Sequence, residues 1–145
     1  MTPARDFHLI HASCVDVEGR GLLIAGDSGT GKSALALELM ALGAVLVADD
    51  QTEVRETNRG LIATAPATIK NMVEARGLGI LHATAAEETR LQWVVDMDHT
   101  EKDRLPQTHT YKLGAVRLPC VHYVAARHFS AALVQLLRSG RRAPS

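Results

Sequence analysis

Eight consecutive residues, Gly26-Asp27-Ser28-Gly29-Thr30-Gly31-Lys32-Ser33, constrain this chain more than any other feature. They satisfy the pattern G-x-x-x-x-G-K-[ST], and both flanks have the character that pattern requires. Gly21-Leu22-Leu23-Ile24-Ala25, just before it, is a short apolar run that reads as a buried strand. Ala34-Leu35-Ala36-Leu37-Glu38-Leu39-Met40-Ala41-Leu42, just after it, consists of helix formers and stops at Gly43. A strand, a glycine turn and a helix N-terminus in succession aim backbone N–H groups and the positive end of the helix dipole at one point. In such a loop the lysine reaches the β and γ phosphates and the hydroxyl sits on Mg²⁺. Gly26, Asp27, Ser28, Gly29, Thr30, Gly31, Lys32 and Ser33 are thus the expected nucleotide-binding residues, with Ser33 also a metal ligand.

The rest of the composition narrows the class. A chain of 145 residues is expected to form one domain, here residues 1–138, followed by a disordered polar tail over 139–145. Formal net charge is zero and no face-long Lys/Arg cluster occurs, which argues against nucleic acid and anionic membranes as partners. The apolar runs are too short to span a bilayer, and Met1–Ile10 lacks the apolar core of a signal peptide. Cys14 and Cys120, far apart and without a C-x-x-C pair, read as buried reduced thiols of a cytoplasmic protein.

Further along, Phe7–Val17 reads as one strand that turns at Glu18-Gly19-Arg20 to form a hairpin with the phosphate-loop strand. The continuous apolar run Ala44–Ala48 predicts a strand covered on both faces. Thr52–Glu56 and Leu61–Ala65 form a second expected hairpin, and Pro66 opens an expected helix to about Ala75, broken by Arg76-Gly77-Leu78-Gly79. Leu91–Met97 and Val121–Ala126 are strand candidates, whereas the polar, aperiodic stretch His99–Thr110 reads as a long loop. Ala131, Leu133, Val134, Leu136 and Leu137 recur at helical spacing, with Ser130 as the expected N-cap and Gly140 as the stop. Together these predict an α/β domain built around a phosphate-binding βαβ unit.

Candidate chemistry lies in three places. Asp49-Asp50 follows the strand after the phosphate-loop helix, on the sheet edge where α/β proteins bind ligands. Phosphoryl transfer needs a carboxylate for Mg²⁺ and often a second to orient or deprotonate the attacking hydroxyl. Adjacent residues on an extended backbone point to opposite sides, so the two aspartates should not share one task. An acidic turn with no chemistry is the plain alternative. Glu74 and Arg76 are either a solvated pair at a helix end or a reach toward metal and phosphate. His11 is either an edge histidine or a neighbour of the site. The seven histidines contain no H-E-x-x-H and no Cys/His cluster, so zinc is not expected.

His11-Ala12-Ser13, Val15-Asp16-Val17, Gly26–Ser33, Ala36-Leu37-Glu38-Leu39, Leu46-Val47-Ala48-Asp49-Asp50 and Glu74-Ala75-Arg76-Gly77-Leu78-Gly79-Ile80 occur in that order. Together they resemble the catalytic domain of the bacterial HPr kinase/phosphorylase family, best over residues 8–81. The resemblance implies a single P-loop kinase-like α/β domain, with a mixed β-sheet and flanking helices. It implies a protein serine kinase that uses ATP and Mg²⁺ to phosphorylate HPr or an HPr-like phosphocarrier, with phosphorolytic removal as the reverse reaction. Residue by residue, it implies Asp49 as the catalytic base, His11 beside it, Asp50 and Glu74 near the metal with Ser33, and Lys32 on the phosphates. Arg104, in Asp103-Arg104-Leu105, resembles a residue of the reverse reaction. The chain departs from the family pattern at Ala12, where glycine is usual, and at Ala75, where isoleucine is usual. It resembles a short form without the extra N-terminal domain, and a homo-oligomer is compatible with it. A small-molecule P-loop kinase or NTPase is the alternative enzyme, although the 99–110 loop offers only Lys102 and Arg104 as lid cations. A non-catalytic ATP-sensing module that docks a carrier is the third reading, disfavoured by the presence of Lys32, Ser33, Asp49 and Asp50 together.

Overall fold

The structure, a computed structural model, describes residues 7–144. Eleven strands occur among these residues, in chain order: β1 (Phe7–Ile10), β2 (Ala12–Val17), β3 (Arg20–Ala25), β4 (Val45–Ala48), β5 (Thr52–Thr57), β6 (Gly60–Thr64), β7 (Met72–Ala75), β8 (Gly79–His82), β9 (Thr89–Thr100), β10 (His109–Leu113) and β11 (Val116–Tyr123). Helix α1 (Lys32–Ala41) lies between β3 and β4, and α2 (Phe129–Ser139) follows β11. The main sheet runs β1-β5-β6-β9-β3-β2-β4, with β11 also paired to β9 and β10 to β11. β7 and β8 form a separate two-stranded hairpin.

Side chains that alternate along the central strands feed two cores. On one face Val15, Val17, Leu22 and Ile24 meet Leu35 and Leu39 of α1 and Leu133, Val134 and Leu137 of α2. On the other, Cys14, Leu23 and Ala25 meet Val54, Leu61, Val94 and Leu113, as the sheet curls over itself. β3 is therefore apolar and buried from Gly21 to Ala25, because both faces are covered there. β9 holds the sheet together. It runs parallel to β3 along one side, and along the other it pairs antiparallel with β6 and then parallel with β11.

Several sequence expectations need correction. The N-terminal strand breaks at His11: β1 pairs with β5, whereas β2 pairs with β3 and β4. β2 is also antiparallel to both β3 and β4, so the β3-α1-β4 unit has a strand inserted between its two parallel members. The helix expected from Pro66 is one 3₁₀ turn over Ala67–Ile69, followed by β7. Lys70 is extended and Asn71 takes φ 64°, so the chain leaves the helical region before Met72. The alternating burial of Val73 and Ala75 then suits a strand. The loop expected over 99–110 shrinks, because β9 runs to Thr100 and β10 starts at His109. β11 starts earlier than expected and joins β9 only from Cys120, past Pro119, which has no N–H for that ladder. Ser130 is not the cap of α2; it lies inside the first turn, where its hydroxyl donates to Glu38 of α1. Ser139, expected in the tail, is the last residue of α2, and the Arg141 guanidinium donates to Thr108 Oγ1 (2.5 Å). Residues 1–6 and Ser145, which enter the readings on the N-terminus and tail, lie outside the described residues.

Candidate active site

The phosphate loop is shaped by where a Cβ cannot go. Gly26 has φ 151°, and a Cβ there would lie 2.9 Å from both Met97 Cβ and Thr30 Oγ1. Gly31, at φ 96°, turns the chain into α1 in the left-handed region that glycine tolerates. No side chain caps α1, and its first turn contains no acidic residue. Its leading N–H groups therefore face outward without an internal anion, the arrangement that phosphate completes. Lys32, only 6% exposed, folds back so that its Nζ donates to the carbonyls of Gly26 (2.8 Å) and Asp27 (2.9 Å). The Asp27 N–H donates to Asp98 Oδ1 (2.9 Å), tying the loop to β9.

The two aspartates occupy different surroundings. Asp49, 7% exposed at the end of β4, accepts from three elements. Its Oδ1 takes the hydroxyls of Ser33 (2.6 Å) and Ser13 (2.8 Å), and its Oδ2 takes the backbone N–H of Glu74 (2.9 Å). Asp50 is exposed and carries φ 69°, in a turn closed by the Gln51 N–H on the Asp49 carbonyl (2.7 Å). Its carboxylate accepts from His11 Nε2 at 2.8 Å, with both side chains about half open to solvent. The side chains diverge, as expected from the sequence, but a left-handed turn rather than extended alternation separates them.

A cleft of about 550 Å³ joins these parts. The phosphate loop forms one wall, and Asp50, Glu74 and Arg76 form the other. Glu74 sits on β7 and Arg76 in the turn to β8, so the reading of a helix end falls away with the helix. His11 reaches this group because the break between β1 and β2 places it opposite Asp50. Arg104 is not brought there: it is exposed on the 101–108 segment and does not line the cleft. Ser13 is the residue that sequence reasoning missed. It is fully buried, donates to Asp49 and accepts the Asp50 N–H (3.1 Å), so one hydroxyl fixes both aspartates. A hydroxyl set among the buried apolar residues Ala12, Cys14 and Val15 is the signal that could have found it, since such groups need a partner.

The HPr serine kinase C-terminal domain family matches residues 5–121, a span that includes the phosphate loop, the aspartate pair and the β7–β8 hairpin. In fold, the chain is similar to the Hpr(Ser) kinase/phosphatase from Coxiella burnetii, with a TM-score of 0.78 and 22% identity. That likeness covers 90% of this chain and 88% of the other.

Proposed function

The chain belongs to the HPr serine kinase C-terminal domain family, and from that premise we propose that it is a Mg·ATP-dependent protein kinase acting on a serine of HPr or an HPr-like phosphocarrier. The proposed reverse reaction is phosphorolysis of the same phosphoserine. The setting we assign is the cytoplasm; among the described residues no helix is long and apolar enough to cross a membrane.

The contrast between the two aspartates carries this reading and exchanges the roles expected from the sequence. Ser33 Oγ and Asp49 Oδ1 lie 2.6 Å apart beside the phosphate loop. They are hard oxygen donors of the kind that hold Mg²⁺ in phosphate-loop enzymes, so the residues present fit the ion. Ser33 and Asp49 would hold it, with the Glu74 carboxylate close by on the cleft wall. Held by these residues, Mg²⁺ would neutralise charge on the phosphate oxygens. Asp49 is ill placed to take a proton from a protein substrate, because it is buried and already accepts three hydrogen bonds.

Asp50 is open to the cleft and suits that task. The substrate serine oxygen bonds to the γ phosphorus, the bond to the β,γ-bridging oxygen breaks, and ADP leaves. The serine proton passes to Asp50, held by His11. Lys32 exchanges its carbonyl partners for phosphate oxygens as nucleotide enters. In the reverse direction inorganic phosphate takes the phosphoryl group, pyrophosphate leaves, and Asp50 returns the proton to the serine oxygen. Arg104 has no role in the forward step on this reading.

The test is incubation of the purified protein with Mg²⁺, γ-labelled ATP and the HPr-type carriers of its genome, with the labelled residue located by mass spectrometry. Label on a carrier serine, abolished in Asp50→Asn but not in Arg104→Ala, is the expected result. Tight ATP binding with no labelled carrier would overturn it.

A further inference from the structure

A second set of polar groups lies on β9, β10 and β11, separate from the cleft. Glu101 follows the end of β9, His109 opens β10 and His122 is near the end of β11. The strand ladders bring them together: His109 is paired with Cys120, and His122 with Asp96 of β9. One ligand atom from each of Glu101, His109 and His122 lies within 4.8 Å of the other two. His109 Nε2 and Glu101 Oε1 are 2.8 Å apart, and the His109 and His122 rings stack with centroids 3.7 Å apart. Asp96, which accepts from His99 Nδ1 (2.8 Å), brings a second carboxylate within 4.8 Å of a His122 ring nitrogen.

We propose that Glu101, His109 and His122 form a binding site for a divalent transition cation of the zinc class, which closes the base of the 102–108 segment. Two imidazoles and one carboxylate are a recurrent donor set for such ions, leaving a position for water. Imidazole nitrogen also separates this site chemically from the all-oxygen donors of Ser33 and Asp49, which suit Mg²⁺. Asp96, Cys120 and His122 form an overlapping triad, but Cys120 is 2% exposed and packs in the core, so the more open triad is the accessible one.

Ligand atoms on a tetrahedral zinc lie about 3.3 Å apart, given bonds of roughly 2.0–2.1 Å. The cation would therefore widen the His109–Glu101 contact by about half an ångström, replacing its hydrogen bond, with the proton of the neutral imidazole carried on Nδ1 so that Nε2 is free to ligate. Stacked rings hold their lone pairs in parallel planes, so one ring must also tilt for both to meet a single ion. His109, about one-third exposed, has room to do so. The consequence is a local staple. Glu101 and His109 bracket the segment that carries Arg104, and a shared ion ties both ends to β11.

The experiment is a Co²⁺ titration of the full chain in millimolar Mg²⁺, followed by visible absorption, then displacement with Zn²⁺. One Co²⁺ per chain is expected, with bands that Zn²⁺ abolishes. His109→Gln and Glu101→Gln should each weaken binding about tenfold or more, the scale on which metal-site residues act, while Lys32→Ala leaves it unchanged. His122→Gln should abolish binding, and circular dichroism checks that each variant is folded. Absence of Co²⁺ binding, or binding that His109→Gln and Glu101→Gln both leave intact, would overturn the proposal.

Discussion

The cleft and the histidine cluster share a neighbourhood but are built in opposite ways. Asp98 of β9 holds the phosphate loop, while Asp96, two residues earlier, faces His99 and His122. The cleft is assembled around eight contiguous residues whose glycines and helix start form a loop of the shape that suits a phosphate. The cluster draws on positions 101, 109 and 122, which have no motif spacing and meet only through the β10–β11 and β9–β11 ladders. A contiguous motif announces itself because neighbouring residues define its geometry. A site made by strand register announces itself only after the strands pair.

The same contrast divides the cleft itself, and the largest effect should break it open. Asp50→Asn should retain Mg·ATP binding and lose phosphoryl transfer by about 10²–10⁴, the range for a missing general base. Asp49→Asn should instead lose Mg²⁺-dependent nucleotide binding, measured by calorimetry with and without the metal. If the two variants fail in the same way, the division of labour between them is wrong. Next in size is Lys32→Ala, expected to weaken ATP binding by about 10², corresponding to the upper range for a charged hydrogen bond; unchanged affinity would remove the loop from the reading.

Smaller effects sharpen the comparison. Gly26→Ala would set a Cβ 2.9 Å from Met97 Cβ at a left-handed φ, so thermal unfolding should register a loss of about 1–3 kcal/mol. Equal stability would mean that the loop yields more readily than its packing implies. The smallest expected effect is a near-absence of thiol labelling in the folded protein. Burial and the nearby Asp96 push the Cys120 thiol up to about 12, and burial raises Cys14 as well. Both thiols therefore keep their protons at neutral pH and should react with a disulfide reagent only on unfolding.

Much of the fold was legible for physical reasons. Apolar runs bounded by glycine gave β3, α1 and β4 at nearly their observed limits, and the Glu18-Gly19 turn gave the β2–β3 hairpin. The misread segments are those where local preference competes with pairing. Met72–Ala75 has residues that suit a helix, yet it pairs with β8, and the Glu74 N–H so exposed is taken by Asp49. Ser130 looks like a cap but donates to Glu38, ninety-two positions away in the chain. Arg104 is a different case: its expected role in the reverse reaction rests on resemblance alone, and it is not among the residues lining the cleft.

The sequence by itself determined the shape of the 26–33 loop, because its geometry depends on residues that are covalent neighbours: glycines free to take left-handed φ, and a helix start with no side-chain cap. It also placed two carboxylates just past the end of the strand that follows α1. Only the tertiary structure decided the surroundings of each. Ser13 from β2 and Ser33 from α1 converge on Asp49 and bury it, while the left-handed turn at Asp50 delivers the second carboxylate to His11 and solvent. Those contacts join residues 16 to 39 positions apart, and such distances are set by how strands and helix pack rather than by any local preference of the chain.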